Sequence, residues 1–383
     1  MLSELALGML AAASALILLL HLLLLAGVLV SRLRDLLAPL FREGSGGGQA
    51  VSVIVAAKDE QEALPTLLAS LESQSIQEFE IVLVDDRSTD GTPQIMEEFK
   101  SRHGDRVRVL HLRKDPGSMN PKQIALDAAV QASAGEILFF SDADCTLPRA
   151  WLQTLLPYFQ DPRVGVVFGQ VSLRKPTSFL ERYQAFELPL IHQYSSGGAG
   201  MGVPTGCFGN NLCARRLVLG QLGGFQGLGY TLTEDAALVS AAAKKRWKVR
   251  VCTHLRAMIR TQPAASWRSF IHQHVRWNSG AFYSRDPATA LSYRFVTLYL
   301  IASVLALPLT PLFPPLAMLP ATSFISIGLL GLISVLLYSR DRVRALLRLT
   351  PYTLFFMVFY AWITLLSIFN LPPRWKGRKL KSR

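Results

Sequence analysis

Two pairs of carboxylates stand where hydrophobic stretches of the sequence end. Asp142 and Asp144 follow the apolar run Ile137–Phe140, and Asp85 and Asp86 close an earlier one. In an extended segment residues i and i+2 point to the same side, so Asp142 and Asp144 can reach one cation. A few hard oxygen ligands suit Mg²⁺ or Mn²⁺ bridging a diphosphate. The alternatives are a solvated turn for the later pair and helix capping for the earlier one.

A third acidic motif, Thr233-Glu234-Asp235, opens a run of helical character. Thr233 is a natural N-cap, and acids in the first turn favour the helix dipole, so a structural role accounts for the motif completely. A general base that takes a proton from a hydroxyl is the other interpretation, and Asp235 is the candidate. The glycine-rich stretch before it can approach a substrate closely.

The fourth motif comprises Gln273, Arg276 and Trp277, within the amphipathic stretch Trp267–Phe282. That stretch is typical of a helix at a membrane surface. An arginine and a tryptophan here can bind a diphosphate and stack on a ring, or they can snorkel at the interface. A similar apolar stripe, from Phe179 to Leu190, predicts a second interfacial helix or part of the core.

Short β-rich runs alternate with helical patterns between residues 51 and about 255. The predicted strands are Val51–Ala57, Glu80–Val84, Arg106–Leu112, Glu136–Ser141 and Val164–Val171. The predicted helices lie near Glu62–Ser73, Thr92–Ser101, Pro121–Ala134 and Pro148–Phe159. This alternation predicts a parallel sheet with helices on both faces, and such sheets bind ligands at the carboxyl ends of their strands.

The composition adds a membrane to this α/β domain. Half of the 383 residues are apolar, and the net charge is +13. Much of the positive excess flanks apolar segments, at Arg32, Arg34, Arg42 and in the tail from Arg374, which predicts contact with lipid headgroups. Basic residues are not interleaved with aromatic ones as nucleic-acid binding requires. The four cysteines lack metal spacing, which indicates reduced thiols.

Boundaries follow from the apolar segments. The stretch Leu5–Val30 predicts a retained anchor rather than a cleaved signal peptide, because the run is long and no basic region precedes it. The predicted segments are an anchor at 1–43, a flexible glycine-rich linker at 44–50, the α/β domain at 51–260, an interfacial helix at 261–290, about three spans at 291–371 and a basic tail at 372–383. Arg340–Arg348 is predicted as a cytoplasmic loop. The last apolar stretch, Tyr352–Phe369, either crosses the membrane or re-enters it.

In the order and content of these motifs, the chain resembles membrane-integrated members of glycosyltransferase family 2. The resemblance extends from about Val51 to Trp277 and implies the glycosyltransferase-A fold, a Rossmann-like and mostly parallel sheet. It implies eight donor-binding residues, namely Glu60, Asp85, Asp86, Lys122, Asp142, Asp144, Gln273 and Arg276. It further implies that Asp142 and Asp144 hold Mg²⁺ or Mn²⁺, that Asp235 is the general base, and that Glu234 and Trp277 contact the acceptor.

The implied reaction is inverting transfer of a sugar from a nucleotide-diphosphate sugar, with UDP as the expected nucleotide. Two acceptors stay open: a membrane lipid, which we favour, and a growing polysaccharide that is exported. We expect an integral protein of a bacterial cytoplasmic membrane, with its catalytic domain in the cytoplasm and the bilayer as a partner. The sequence identifies no partner subunit.

Overall fold

A central seven-stranded sheet organises the α/β part of the molecule. The computed structural model describes residues 2–37, 49–115, 117, 119–174, 176–339, 341–369, 371–375 and 378–380. The predicted glycine run and much of the basic tail lie outside them. The chain divides into a helical unit (Met1–Leu29, Pro176–Gly197 and Ala264–Arg383) and an α/β unit (Val30–Lys175 and Gly198–Pro263).

The strands of the α/β unit are β1 Val51–Ala57, β2 Glu80–Asp86, β3 Val107–Leu112, β4 Ile137–Asp142, β5 Val164–Phe168, β6 Val171–Leu173, β7 Leu212–Arg215, β8 Lys248–Val251 and β9 Ile259–Thr261. The large sheet has the order β3-β2-β1-β4-β7-β5-β8. All its pairings are parallel except those that β7 makes with β4 and β5. The predicted strand β1 has the observed bounds. The prediction missed β7, β8 and β9, and it ran β5 and β6 together although β6 pairs with β9 in a separate small sheet.

The α-helices of the described residues are α1 Leu2–Leu37, α2 Leu64–Glu72, α3 Thr92–His103, α4 Pro121–Ala132, α5 Trp151–Leu155, α6 Phe179–Gly200, α7 Arg216–Leu222, α8 Glu234–Lys244, α9 Trp267–Phe282, α10 Pro287–Ala306, α11 Met318–Tyr338 and α12 Arg342–Ile368. In the α/β unit, α4 and α8 pack on the sheet through Leu126, Leu238 and their neighbours. The inner strands are buried at nearly every position, which is the pattern of parallel strands covered on both faces.

The helical unit has its own core. Tyr183 and Leu190 on α6 are fully buried there with Phe270 on α9 and Ile363 on α12, so the apolar stripe of α6 belongs to the core. Four helical segments of the described chain are long and apolar enough to cross a membrane, at Glu4–Leu37, Pro287–Leu309, Pro314–Tyr338 and Arg342–Ile368. The predicted loop Arg340–Arg348 is wrong, because α12 begins at Arg342 and continues without a break to Ile368.

Hydroxyl groups connect several of these apolar helices. Ser303 on α10 forms a 2.8 Å hydrogen bond with Ser323 on α11, and its Oγ also donates to the Leu319 carbonyl at 3.1 Å. Ser14 on α1 and Tyr299 on α10 share a 2.7 Å hydrogen bond. In lipid the hydrophobic effect gives helices little reason to associate, so polar contacts of this kind stabilise the packing.

The last turns of α1 belong to the α/β unit and are anchored by a buried acid. Asp35 is 3% exposed. Its Oδ1 accepts a hydrogen bond from the Tyr158 hydroxyl at 2.5 Å, and its Oδ2 accepts from the backbone N–H and hydroxyl of Thr253 at 2.6 and 2.7 Å. Arg32, for which we predicted contact with lipid headgroups, donates to the Thr253 carbonyl at 2.8 Å. The end of this apolar helix is thus attached to the α/β unit before the glycine run begins.

We expect Asp35→Ala to lower the free energy of unfolding of the α/β unit by roughly 2 to 4 kcal/mol, because it leaves the Thr253 N–H and Tyr158 hydroxyl buried without partners. Thermal and denaturant unfolding of the purified protein would measure the loss. Asp105→Ala, at an exposed position, serves as the control and should change stability by no more than about 0.5 kcal/mol. Equal stability of the two variants would contradict the anchoring role.

Candidate active site

The acidic residues predicted for the site meet at one edge of the sheet. Strand β1 lies between β2 and β4, and its register sets Ala57 opposite Asp85 and Ala56 opposite Asp142. Both β2 and β4 therefore end at the same edge of the sheet, as their parallel orientation requires, and β2 runs two residues further than β4. Asp85 and Asp86 are both fully buried.

Asp85 and Asp86 have different surroundings. Oδ1 of Asp85 accepts the Ser88 N–H at 2.9 Å, and its Oδ2 lies 3.2 Å from Nδ1 of His111. Asp86 pairs through Oδ1 with Arg87, whereas its buried Oδ2 accepts no hydrogen bond from any described residue. Burial raises the pKa of Asp86, and the neighbouring Arg87 opposes that rise. An unsatisfied buried carboxylate oxygen is an acceptor for a ligand N–H.

Two strained turns hold Glu60 beside this strand end. Asp59 and Arg87 both have left-handed backbone conformations, with φ of 52° and 59°. Asp59 accepts the Thr89 N–H at 2.7 Å, and Nζ of Lys58 donates to the Arg87 carbonyl at 2.9 Å. These bonds lock the turn after β1 onto the turn after β2. Conformations of this type persist where the surroundings enforce them, often at functional sites.

Lys122 bridges the end of β4 to the start of α8. Its Nζ lies 2.8 Å from Oδ1 of Asp142 and 3.1 Å from Oε1 of Glu234. The first turn of α4 positions it, because Asn120 caps that helix by accepting the Lys122 N–H at 3.1 Å. Burial alone would lower the pKa of Lys122, but Asp142 and Glu234 raise it well above its usual value. The ammonium group therefore stays charged and ties two of the predicted site residues together.

Asp144 lies in the turn after β4 among other acids. Burial, with the charges of Asp142 and Glu60, raises the pKa of Asp144 to about 6. Crowded carboxylate oxygens are the ligands that Mg²⁺ and Mn²⁺ prefer. Among the described residues, no group of three or more His, Cys, Asp and Glu side chains could by itself hold a metal. Asp142 and Asp144 alone would therefore supply only part of the oxygen ligands that such a cation needs.

Asp235 is held by backbone groups in the first turn of α8. Its Oδ2 accepts the Gly209 N–H at 2.7 Å, and its Oδ1 accepts the Ala236 N–H at 2.8 Å. The predicted cap at Thr233 is not observed, since its side chain makes no capping hydrogen bond and Asp235 satisfies a first-turn N–H. Glu234 and Asp235 line a small cavity with Lys122 and Asp142.

Gln273, Arg276 and Trp277 belong to the helical unit and lie half-buried on α9. This helix has the predicted bounds and is capped by Ser266, whose side chain accepts the Ser269 N–H at 3.2 Å. His274, which lies between Gln273 and Arg276 in the motif, is buried, and we predicted no role for it. Its Nε2 lies 2.9 Å from Oε1 of Glu187, and its ring centroid is 5.0 Å from that of Trp277.

The structure therefore brings six predicted site residues together at the edge of the sheet, with Asp85 and Asp86 at the end of β2, on the other side of β1 from β4. The six are Glu60, Lys122, Asp142, Asp144, Glu234 and Asp235. Sequence reasoning missed Arg87 and Gly209. Arg87 directly follows Asp86 and was open to notice, but nothing in the sequence indicates that the Gly209 N–H reaches Asp235.

Two family descriptions match the chain. Residues 52–219 match glycosyl transferase family 2, and residues 137–371 match glycosyl transferase family group 2. The chain is 29% identical over 248 residues to a beta-monoglucosyldiacylglycerol synthase of Nostoc sp., which covers 63% of this chain and 51% of the relative. It is 27% identical over 144 residues to a poly-beta-1,6-N-acetyl-D-glucosamine synthase of Staphylococcus epidermidis, covering 37% and 34%. The chain spans about half the length of the glucosyldiacylglycerol synthases that it matches.

A solved structure matches the fold. A mannosyltransferase from Pyrobaculum calidifontis, in complex with GDP-Man and Mn²⁺, superposes with a TM-score of 0.55 at 20% identity, covering 93% of this chain and 99% of that one. This agreement confirms the predicted fold class, a mostly parallel α/β sheet with additional long apolar helices.

Replacing Asp144 by asparagine is expected to stabilise the donor-free, chelator-treated protein at pH 7. The pKa of Asp144 in the folded protein, about 6, lies above the usual aspartate value of 3.8, so between these values the folded state holds a proton that the unfolded chain has lost. Ionisation thus destabilises the fold as the pH rises through this window, and asparagine removes that effect.

Thermal unfolding between about pH 4 and pH 8 checks this expectation. The Tm of the variant should exceed that of the wild type above about pH 6, and the difference should close towards about pH 4. Glu98→Gln, at an exposed position, is the control and should follow the wild type throughout. A variant less stable than the wild type at pH 7 would show that the ionised Asp144 carboxylate does not destabilise the folded protein.

Proposed function

Because this chain belongs to glycosyl transferase family group 2, we propose that it moves a sugar from a nucleotide-diphosphate sugar to a hydroxyl of a membrane acceptor. One observation carries the proposal. Lys122 joins Asp142, at the end of β4, to Glu234, which is next to Asp235. An ammonium group between two sets of carboxylates suits a site where a diphosphate leaves and a hydroxyl attacks.

The donor is proposed to bind along the ends of β1, β2 and β4. The unsatisfied Oδ2 of Asp86 would accept an N–H of the nucleobase, with Asp85 beside it, and uridine is the base we favour. Glu60 and Lys122 would face the phosphates or the sugar. The oxygens of Asp142 and Asp144 fit Mg²⁺ or Mn²⁺, which when bound would neutralise negative charge on the leaving diphosphate.

Asp235 is proposed as the general base. The acceptor hydroxyl would pass its proton to a carboxylate oxygen of Asp235 as its own oxygen bonds to the anomeric carbon. The bond from that carbon to the diphosphate breaks on the opposite face, so the configuration inverts. The two backbone N–H groups that bind Asp235 orient it. Glu234 would contact the acceptor.

The roles of three residues on α9 rest on their motif. Gln273 and Arg276 are proposed to bind the leaving diphosphate, for which a guanidinium is well suited. Trp277 is proposed to stack on the acceptor.

We expect Asp235→Asn to lower kcat by roughly 10²–10⁴-fold, since an amide cannot take the proton. The Kd for UDP should stay near the wild-type value, because Asp235 is not a proposed donor ligand. Steady-state kinetics and calorimetric titration with UDP would separate the two effects. Asp105→Asn is the control variant. Near-normal transfer by Asp235→Asn with normal UDP binding would refute the assignment of the base.

A membrane lipid is the acceptor that we propose. The relatives named beta-monoglucosyldiacylglycerol synthase support a lipid with a free hydroxyl, and the four apolar helices support a site at a bilayer. The second candidate is a growing polysaccharide, favoured by the relative named poly-beta-1,6-N-acetyl-D-glucosamine synthase. The arginines after α1's apolar run support a cytoplasmic α/β unit at a bacterial cytoplasmic membrane.

Sizing of the product distinguishes the acceptors. The purified protein would be incubated with labelled UDP-glucose, UDP-N-acetylglucosamine or GDP-mannose, together with vesicles that contain diacylglycerol. We expect a chloroform-soluble lipid that carries one sugar. A long water-soluble polymer would instead establish the polysaccharide reaction, and the Asp235→Asn protein provides the background.

A further inference from the structure

Polar side chains on α4 hold the segment that precedes Glu234 and Asp235. This segment, residues 223–231, is called here the glycine loop. Asn120, Gln123 and Asp127 lie on or just before the first two turns of α4, on either side of Lys122. All three are buried, with exposed fractions of 3%, 0% and 4%. Their partners are backbone or side-chain groups of the glycine loop.

Gln123 makes the most contacts. Its Nε2 donates to the carbonyls of Phe225 and Gly229 at 3.1 and 2.8 Å, and its Oε1 accepts the Thr231 N–H at 3.0 Å. Asn120 adds a bond from its Nδ2 to the Thr231 carbonyl at 2.8 Å. Apart from a short 3₁₀ helix at Gln226–Leu228, the loop has no regular secondary structure, and its backbone groups must find partners when buried. The single Gln123 side-chain amide therefore supplies hydrogen-bond partners to the backbone of the glycine loop, as a neighbouring strand would in a sheet.

Asp127 fixes the first part of the loop. Its Oδ1 accepts the Phe225 N–H at 2.8 Å, and its Oδ2 accepts Nε2 of Gln226 at 2.7 Å. Gly224 has φ of 73°, and a Cβ there would lie 2.2 Å from Oδ1 of Asp127. Only glycine permits both this backbone conformation and this approach. The sequence of the loop is thus matched to the side chains on α4.

The loop is also tied to the site. The side chain of Phe225 is 1% exposed and packs edge-on against Phe140 of β4, at a ring-centroid distance of 5.6 Å. Phe140 precedes Asp142 by two residues. At its other end the loop leads through Thr231, whose Oγ1 accepts the Thr233 N–H at 3.2 Å, into α8. The helix that carries Lys122 therefore also fixes the chain that delivers Glu234.

We propose that Gln123 is a positioning residue, which fixes the glycine loop on α4 and thereby sets Glu234 and Asp235 at their working distance from Asp142. The inference rests on the proposed function, because it assigns Gln123 to the step in which Asp235 takes the proton. Gln123 is not proposed to touch the donor. Its loss should slow transfer and leave nucleotide binding intact.

The test compares Gln123→Leu with the wild type in the full-length purified protein. We expect kcat for transfer to fall roughly 10- to 100-fold, as displacements of about 1 Å in an active site do. The Kd for UDP should change less than about twofold. Hydrogen–deuterium exchange of peptides that cover residues 223–233 should become faster, because the Thr231 N–H loses its acceptor. Gln131→Ala is the matched control, since Gln131 lies on α4 and bonds Asp127 at 3.0 Å without reaching the loop.

Two further variants keep the inference testable if Gln123→Leu does not fold. Gln123→Glu retains the acceptor for Thr231 but loses both donors, and it should reproduce the loss of kcat. Asp127→Asn keeps an oxygen for the Phe225 N–H, so it should retain more activity than Asp127→Leu. Faster exchange of the loop with unchanged kcat would overturn the positioning role, and so would unchanged exchange in both Gln123 variants.

Asp235→Asn, assayed in parallel, separates this inference from the proposed function. If Asp235→Asn transfers sugar normally, the assignment of the base fails whatever Gln123 does. If Asp235→Asn is inactive but Gln123→Leu is fully active with a loosened loop, only the positioning role fails.

Discussion

The ion pairs of the partly buried Lys122 ammonium are the interactions on which the site depends. The α/β unit gathers carboxylates at one end of its sheet, where burial removes water that would otherwise stabilise their charges. Lys122 offsets two of them directly, at 2.8 and 3.1 Å. A buried charge of this kind is favourable only when its partners are correctly placed, so the pairing also fixes geometry. The start of α4, which determines where Lys122 lies, therefore sets the relation between Asp142 and Glu234.

Helix α4 consequently has two functions in one element. Its apolar side, which includes Leu126, packs on the sheet. Its polar side carries Lys122 towards the carboxylates and Gln123 towards the glycine loop. Helix packing on a sheet is rigid, because protein interiors are close-packed and deform little. Helix α4 thus sets the position of the acidic residues on α8 relative to the strands that they face.

The sequence was most informative where a physical rule is local. Strand β1 was predicted with its observed bounds because its Val- and Ile-rich run ends at the charged residues Lys58 and Asp59. The grouping of Asp85 with Asp142 followed from the rule that parallel strands end at one edge. Strand β7 was missed because it has only four residues and pairs antiparallel within a mostly parallel sheet. No local rule indicates such an insertion.

Side-chain partners that are distant in sequence were harder to predict. Lys122 was expected near the donor, but its pairing with Glu234 depends on the packing of α8. The hydrogen bond from Arg32 to the Thr253 carbonyl was not predicted, because a positive charge beside an apolar helix fits lipid headgroups and a protein carbonyl equally well. The Gly209 N–H bound to Asp235 had no signal at all, since every residue except proline carries that donor.

The serine contact between α10 and α11 bears on how apolar helices find their partners. In water, the hydrophobic effect drives the apolar face of a helix against other apolar surfaces. In a bilayer all such faces are chemically alike, so apolar character alone carries no information about which helix belongs against which. Ser303 and Ser323 supply such information, because the Ser303 hydroxyl, which lies 2.8 Å from the Tyr299 carbonyl of its own helix, also lies 2.8 Å from the Ser323 hydroxyl. The few polar residues of these segments thus specify which helices pair, whereas the many leucines around them do not distinguish one partner from another.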